Sequence, residues 1–145
     1  MIEPQAPLAR TLTAEDHQSP RPVVVVWELT MKCDQPCAHC GSRAGHARSS
    51  ELTTAEALDI GRRLVKMGAR EIALIGGEAY LRGDVLLVIR KLRELGVACS
   101  MTTGGLGLTR QRAEALAEAG LQTVSVSIDG LQASHELLRG SPGGW

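Results

Sequence analysis

The sequence contains no phenylalanine, and Trp27, Tyr80 and Trp145 are its only aromatic residues, 2% of 145. Its core must therefore be aliphatic, built from Val, Leu, Ile and Ala, and the shortage argues against stacking nucleobases on aromatic side chains. Net charge is missing as well, because 16 Lys and Arg stand against 16 Asp and Glu. That balance argues against a nucleic-acid arm or a polybasic membrane anchor. The longest wholly apolar run, Val23 to Trp27, falls far short of the roughly 20 residues of a membrane helix. The first twenty residues carry acids and prolines and no apolar stretch of a secretory signal. No nucleic-acid or membrane partner is expected, and the cytoplasm is the expected compartment. With 43% hydrophobic and 22% charged residues, the composition is that of a folded soluble domain, and the length allows one domain.

Residues 1–22 read as a proline-containing N-terminal arm, with Pro4, Pro7, Pro20 and Pro22 and no sustained periodicity. From Val23 onward short β-branched runs alternate with helical stretches. Strands are expected at residues 23–29, 71–75, 97–102 and 123–128. One helix starts at Thr53, which has capping-box spacing to Glu56, places Ala57, Ile60, Leu64 and Met67 on one face, and stops at Gly68. A second takes Asp84 as N-cap, buries Val85, Val88, Ile89, Leu92 and Leu95, and ends at Gly96. A third runs from about Thr109 to Ala119, and residues 133–140 look like the approach to a fourth that the chain does not complete. Regular strand–helix succession with short crossovers predicts an α/β fold of parallel strands, right-handedly wound, with helices outside.

Three of the four cysteines fall within eight residues, Cys33, Cys37 and Cys40 in CDQPCAHC, a C-x-x-x-C-x-x-C spacing in a loop directly after the first strand. Such clustering suits metal or cluster binding in a reducing compartment better than a disulfide framework. Three thiolates on one loop can hold three irons of a 4Fe-4S cluster and leave the fourth iron open to a chelating ligand. Asp34, Gln35 and Pro36 help the loop turn back. The alternative is a zinc site in a small structural module, with His39, His46 or Cys99 as fourth ligand. Against it, His39 lies between two cysteine ligands and should point away from a shared metal, and Cys99 sits in an apolar strand run as a core thiol.

At this loop the sequence resembles the radical S-adenosylmethionine (radical SAM) enzyme superfamily, whose defining motif is C-x-x-x-C-x-x-C after the first strand. Two further segments match. Gly76-Gly77-Glu78 resembles the family's GGE motif after the second strand. Ser127-Ile128-Asp129-Gly130 with His135, Arg139 and Gly140 resembles the S-[IL]-D-G…H-x-x-x-R-G segment of the peptide- and protein-modifying subgroup that often carries a C-terminal SPASM domain. The chain departs from the family's GGEP at Ala79 and from its TNG at Thr102-Thr103-Gly104-Gly105.

The resemblance implies a partial (βα)6 TIM-like barrel. It covers residues 23–145 and ends before the fifth and sixth strands, so an apparently truncated core of about four βα units is expected. It also implies an enzyme in which a 4Fe-4S cluster on Cys33, Cys37 and Cys40 reductively cleaves S-adenosylmethionine, giving a 5′-deoxyadenosyl radical that abstracts hydrogen from substrate. Gly76, Gly77, Glu78, Ser127 and Arg139 are the implied contacts to S-adenosylmethionine, with the GGE backbone on the amino group and an arginine fork suited to the carboxylate. No residue is assigned as catalytic acid or base. The implied partners are an electron donor such as flavodoxin or ferredoxin and a substrate, for which the last motif alone favours a peptide or protein and a small molecule is the alternative. A truncated relative that binds a cluster without turning over is the rival reading within the family.

Overall fold

The computed structural model describes residues 12–145. Pro4 and Pro7 of the expected arm lie outside the described residues. Within residues 12–22 of that arm, Ala14–Gln18 forms a short helix, α1, started by a capping box between Thr13 and Asp16. Asp16 is buried there and accepts hydrogen bonds from Arg21 Nε and from Arg70 Nη2, both at 2.8 Å, which pins the segment to the domain. A five-residue helix is too short to leave a periodic trace in the sequence.

Four strands form one sheet in the order β1 (Val24–Thr30), β2 (Glu71–Gly76), β3 (Ala98–Thr103) and β4 (Thr123–Val126), and all three pairings are parallel. The helices α2 (Thr54–Lys66), α3 (Val85–Glu94) and α4 (Arg110–Glu118) connect them, with a 3-10 turn at Ala79–Leu81. The sheet does not close, which agrees with a partial barrel. Ile72, Leu74, Cys99 and Met101 point to the helix side and are fully buried against Val88, Ile89 and Leu92 of α3, the aliphatic core that the composition demands. Gly61 lets α2 approach α3 closely, since a Cβ there would lie 2.9 Å from Leu92 Cδ2.

Thr53 caps α2 as expected, with a full capping box to Glu56. Three local expectations fail for identifiable reasons. Asp84 stands at the N-cap of α3 but makes no side-chain cap, because its carboxylate is taken by Arg82 and by the Thr54 hydroxyl. Met67 and Leu95 each lie one residue beyond the end of a helix and are 58% and 42% exposed. β4 ends at Val126, two residues early, and Ile128 is exposed. The fourth helix is complete, α5 (Gln132–Arg139), capped by Gly140 in the left-handed conformation. It nonetheless leaves Val124 and Val126 exposed on a strand that pairs only with β3 among the described strands.

Candidate functional site

Parallel winding brings the C-terminal ends of all four strands to one rim, where the loops after them meet. A pocket of about 300 Å³ lies there. All eight residues implied as cluster ligands or S-adenosylmethionine contacts line it, Cys33, Cys37, Cys40, Gly76, Gly77, Glu78, Ser127 and Arg139, whereas Asp129, Gly130, His135 and Gly140 of the last motif do not. They come from the loop after β1, the end of β2 and the turn after it, the segment after β4 and the end of α5, and they span more than a hundred positions of sequence.

The cysteine loop is tied down at both ends. Cys33 N–H donates to Gly45 O and Gly45 N–H to Met31 O, both at 2.9 Å, and Ala38 N–H donates to Leu138 O of α5 at 2.8 Å. Each of the three sulfurs receives an N–H: Gln35 N to Cys33 Sγ at 3.4 Å, Ala44 N to Cys40 Sγ at 3.4 Å, and Arg139 Nη1 to Cys37 Sγ at 3.9 Å. Such donors stabilise thiolates and tune cluster potentials. Burial pushes the Cys33 thiol up in the free protein.

Gly76 and Gly77 have a packing reason of their own. A Cβ at Gly76, where φ is 140°, would lie 2.0 Å from Thr30 O, and one at Gly77 would lie 2.2 Å from Lys32 O and 2.9 Å from Cys33 Cβ. The end of β2 therefore lies directly against the start of the cysteine loop, held by Gly77 N–H to Thr30 O and Glu78 N–H to Lys32 O, both 2.7 Å. Only glycine tolerates that approach. Glu78 is 2% exposed, and its carboxylate accepts from the Thr103 hydroxyl and, at 2.7 Å, from Gly104 N–H. Burial raises its pKa, partly offset by those bonds. The Glu78 side chain thus welds β2 to β3, and the Thr103-Gly104 departure from TNG supplies its partners.

Arg139, 8% exposed at the end of α5, donates through Nε to Asp129 Oδ2 at 2.5 Å. The Asp129 carboxylate is held below its usual range chiefly by that bond. His39 turns toward the same oxygen, Nε2 to Oδ2 3.4 Å. Asp129 N–H donates to His135 Nδ1 at 3.2 Å, and the buried His135 ring meets Trp145 edge-on at 5.4 Å. Tyr80, beside the departure at Ala79, donates to Asp34 Oδ2 at 2.8 Å and accepts from Gly107 N–H at 3.0 Å, joining the loops after β1, β2 and β3.

Neither Cys99 nor His46 lines the pocket; Cys99 is wholly buried in the core, where burial pushes its pKa up to about 11. Cys33, Asp34 and Glu78 do lie within 4.8 Å of one another, but the carboxylate oxygens of Glu78 are committed to Thr103 and Gly104. Gln35, read in the sequence only as a turn residue, also lines the pocket and is buried.

The profile of the Radical SAM superfamily matches residues 27–144. The AdoMet-dependent heme synthase of Methanosarcina barkeri is 38% identical over 124 residues, which are 84% of this chain and 36% of that protein. The pre-heme d1 synthase of Dinoroseobacter shibae is 32% identical over 128 residues, 88% of this chain and 31% of that protein. The chain spans about a third of the length of these curated relatives. Among solved structures, Streptococcus suis SuiB bound to S-adenosylmethionine superposes with a TM-score of 0.72 at 22% identity, covering 85% of this chain and 29% of SuiB. Native anSMEcpe with bound AdoMet and the Cp18Cys peptide gives 0.58 at 21% identity, covering 84% and 35%.

Proposed function

The chain belongs to the radical SAM superfamily, and from that premise we propose that its pocket holds a 4Fe-4S cluster on Cys33, Cys37 and Cys40 beside S-adenosylmethionine. The observation that carries this reading is the convergence of all eight implied ligand and contact residues on one pocket. When bound, the cluster supplies one electron to the sulfonium of S-adenosylmethionine, releasing methionine and a 5′-deoxyadenosyl radical that takes a hydrogen atom from substrate. The protein's part is position and the exclusion of water and oxygen. Gly76 and Gly77 bring main chain to the amino group of the methionine moiety, and Glu78 fixes that turn by its bonds to Thr103 and Gly104. Ser127 and Arg139 face the carboxylate. Residues 23–145 act as the N-terminal part of the core, with 1–22 as its arm.

The test is anaerobic loading with iron and sulfide, followed by chromatography of 5′-deoxyadenosine formed under dithionite. About four irons per chain and formation of the nucleoside support the proposal. A loaded chain that forms none leaves the non-catalytic cluster binder, and tightly held zinc with no iron leaves the structural module.

For the substrate, two readings have support. The curated relatives at 32% and 38% identity are named for heme chemistry, which favours a tetrapyrrole. The segment from Ser127 to Gly140 favours a peptide, as do the neighbours SuiB with its precursor peptide SuiA and anSMEcpe with Cp18Cys. Titration with an iron porphyrin, followed in its absorbance band, separates the two. Flavodoxin or ferredoxin is the proposed electron donor. The cytoplasm is the proposed compartment, because the C-x-x-x-C-x-x-C spacing suits a cluster in a reducing environment better than a disulfide framework, and among the described residues no helix is long and apolar enough to cross a membrane.

A further inference from the structure

The loop that carries the three cysteines leaves β1 at Thr30 and reaches regular structure again at α2, and the described residues between hold turns and one bridge, Lys32 to Gly45. Its two stems meet on one carboxylate. Glu51 Oε1 accepts from the Thr30 hydroxyl at 2.9 Å and from Met31 N–H at 2.7 Å on the outgoing stem, and from Arg48 N–H at 3.2 Å on the returning one. Thr30 is buried, and β1 shifts register on β2 between Glu28 and Thr30. Such irregularities re-aim side chains, and here the hydroxyl ends on Glu51. Arg82, from the segment after β2, joins the same stems one residue further out: its Nη1 donates to Leu29 O at 3.3 Å and its Nη2 to Leu52 O at 2.7 Å. Arg82 Nη1 also stands 3.9 Å from Glu51 Oε2.

Glu51 does not line the pocket at the strand ends, so it acts on the site only through the loop. Three thiolates must meet one cluster, and ordering an irregular segment for that costs conformational entropy at every residue. A clamp across the stems meets that cost before iron arrives, which is what a preformed ligand set requires. A carboxylate suits the task, because an ionised acceptor makes stronger hydrogen bonds than a neutral one and its two oxygens serve several donors at once. We propose that Glu51 is a positioning residue for the cluster: by bridging Thr30, Met31 and Arg48 it holds the cysteine loop closed, with Arg82 beside it on the same stems. The inference rests on the function proposed above. It adds a residue that lies outside the pocket and outside all three motifs.

The test compares wild type with Glu51→Gln, which keeps the shape but removes the charge and one acceptor oxygen, and with Glu51→Asp, which keeps the carboxylate on a shorter reach. Ile89→Val is the control, a truncation in the buried face of α3 that lowers stability and removes none of these bonds. Two quantities are read at a temperature where circular dichroism shows every chain folded. One is hydrogen–deuterium exchange of residues 31–50 in the cluster-free chain, and the other is the rate at which a chelator strips iron from the loaded chain. Glu51→Gln should exchange faster across residues 31–50 with β2 and α3 unchanged, and should lose iron about tenfold faster, the scale of residues that orient metal ligands. Glu51→Asp should fall between it and wild type, and Ile89→Val should match wild type in both. Unchanged loop exchange or unchanged iron loss in both Glu51 variants overturns the inference alone, and so does an equal acceleration of iron loss in Ile89→Val. A wild-type chain that takes up no iron contradicts the proposed function and the inference with it.

Discussion

Gly77→Ala tests whether the glycine pair is there for packing at the cysteine loop. The added Cβ would lie 2.2 Å from Lys32 O and 2.9 Å from Cys33 Cβ, and the first of these partners is backbone that cannot rotate away. Restoring ordinary contact requires the end of β2 and the start of the cysteine loop to separate by about 1 Å. Two hydrogen bonds cross that seam, Gly77 N–H to Thr30 O and Glu78 N–H to Lys32 O, each 2.7 Å. Such a retreat takes both beyond bonding distance, at about 0.5–1.5 kcal/mol apiece. A loss of about 1–3 kcal/mol is a large part of the stability of a small domain. Gly41→Ala is the matched control in the same loop, because a Cβ there meets nothing within 4 Å. Urea unfolding and iron content after anaerobic loading are the assays. Gly77→Ala should lose stability by that amount and hold markedly less iron, while Gly41→Ala keeps both. A Gly77→Ala chain with wild-type midpoint and iron content would refute the packing argument.

Cys37→Ala should abolish iron binding, whereas Cys99→Ala should keep the iron and lose about 1 kcal/mol of stability for a truncated core side chain; equal loss of iron in both would make Cys99 a ligand. Asp16 accepts from Thr13 N–H, from Arg21 and from the Thr13 hydroxyl, and these bonds hold its carboxyl well below the usual 3.8. Its contribution is therefore present above that ordinary value and disappears as pH falls below it toward the lower folded pKa. Limited proteolysis near α1 should increase on acidification in wild type and be already high and flatter with pH in Asp16→Asn. The exposed edge of β4, with Val124 41% and Val126 55% exposed, should make the isolated 145-residue chain self-associate. Val126→Lys should shift it toward monomer in sedimentation, and a wild-type chain that is monodisperse and monomeric would contradict this.

The parts of the molecule legible in the sequence were those encoded over short spans. β-Branched runs, the Thr53/Glu56 capping box and the cysteine spacing each need fewer than ten residues to be read, and they correctly order the strands, α2 and the loop. Long-range polar pairings were not legible. Glu78 meets Thr103 and Gly104 across 25 and 26 positions, and Arg139 reaches Cys37 across 102. Nothing in local periodicity reports such partners. The same holds for Asp84, whose cap is cancelled by Arg82 beside it and Thr54 thirty positions away. Gln35 was hidden differently: a polar residue in a loop reads as a turn former, and its burial follows only once α5 and the end of β3 close over it. The glycine pair was marked by resemblance to a motif, but its contacts with Thr30 and Lys32 needed the register of β1 on β2.

Electron paramagnetic resonance of the anaerobically loaded, dithionite-reduced chain, recorded with and without S-adenosylmethionine, tests the open iron site most directly. Three cysteine ligands predict a reduced 4Fe-4S signal whose g-values change when S-adenosylmethionine is added, and whose change is lost in Cys37→Ala together with the signal itself. A signal indifferent to S-adenosylmethionine, or a chain that takes up no iron, would contradict it.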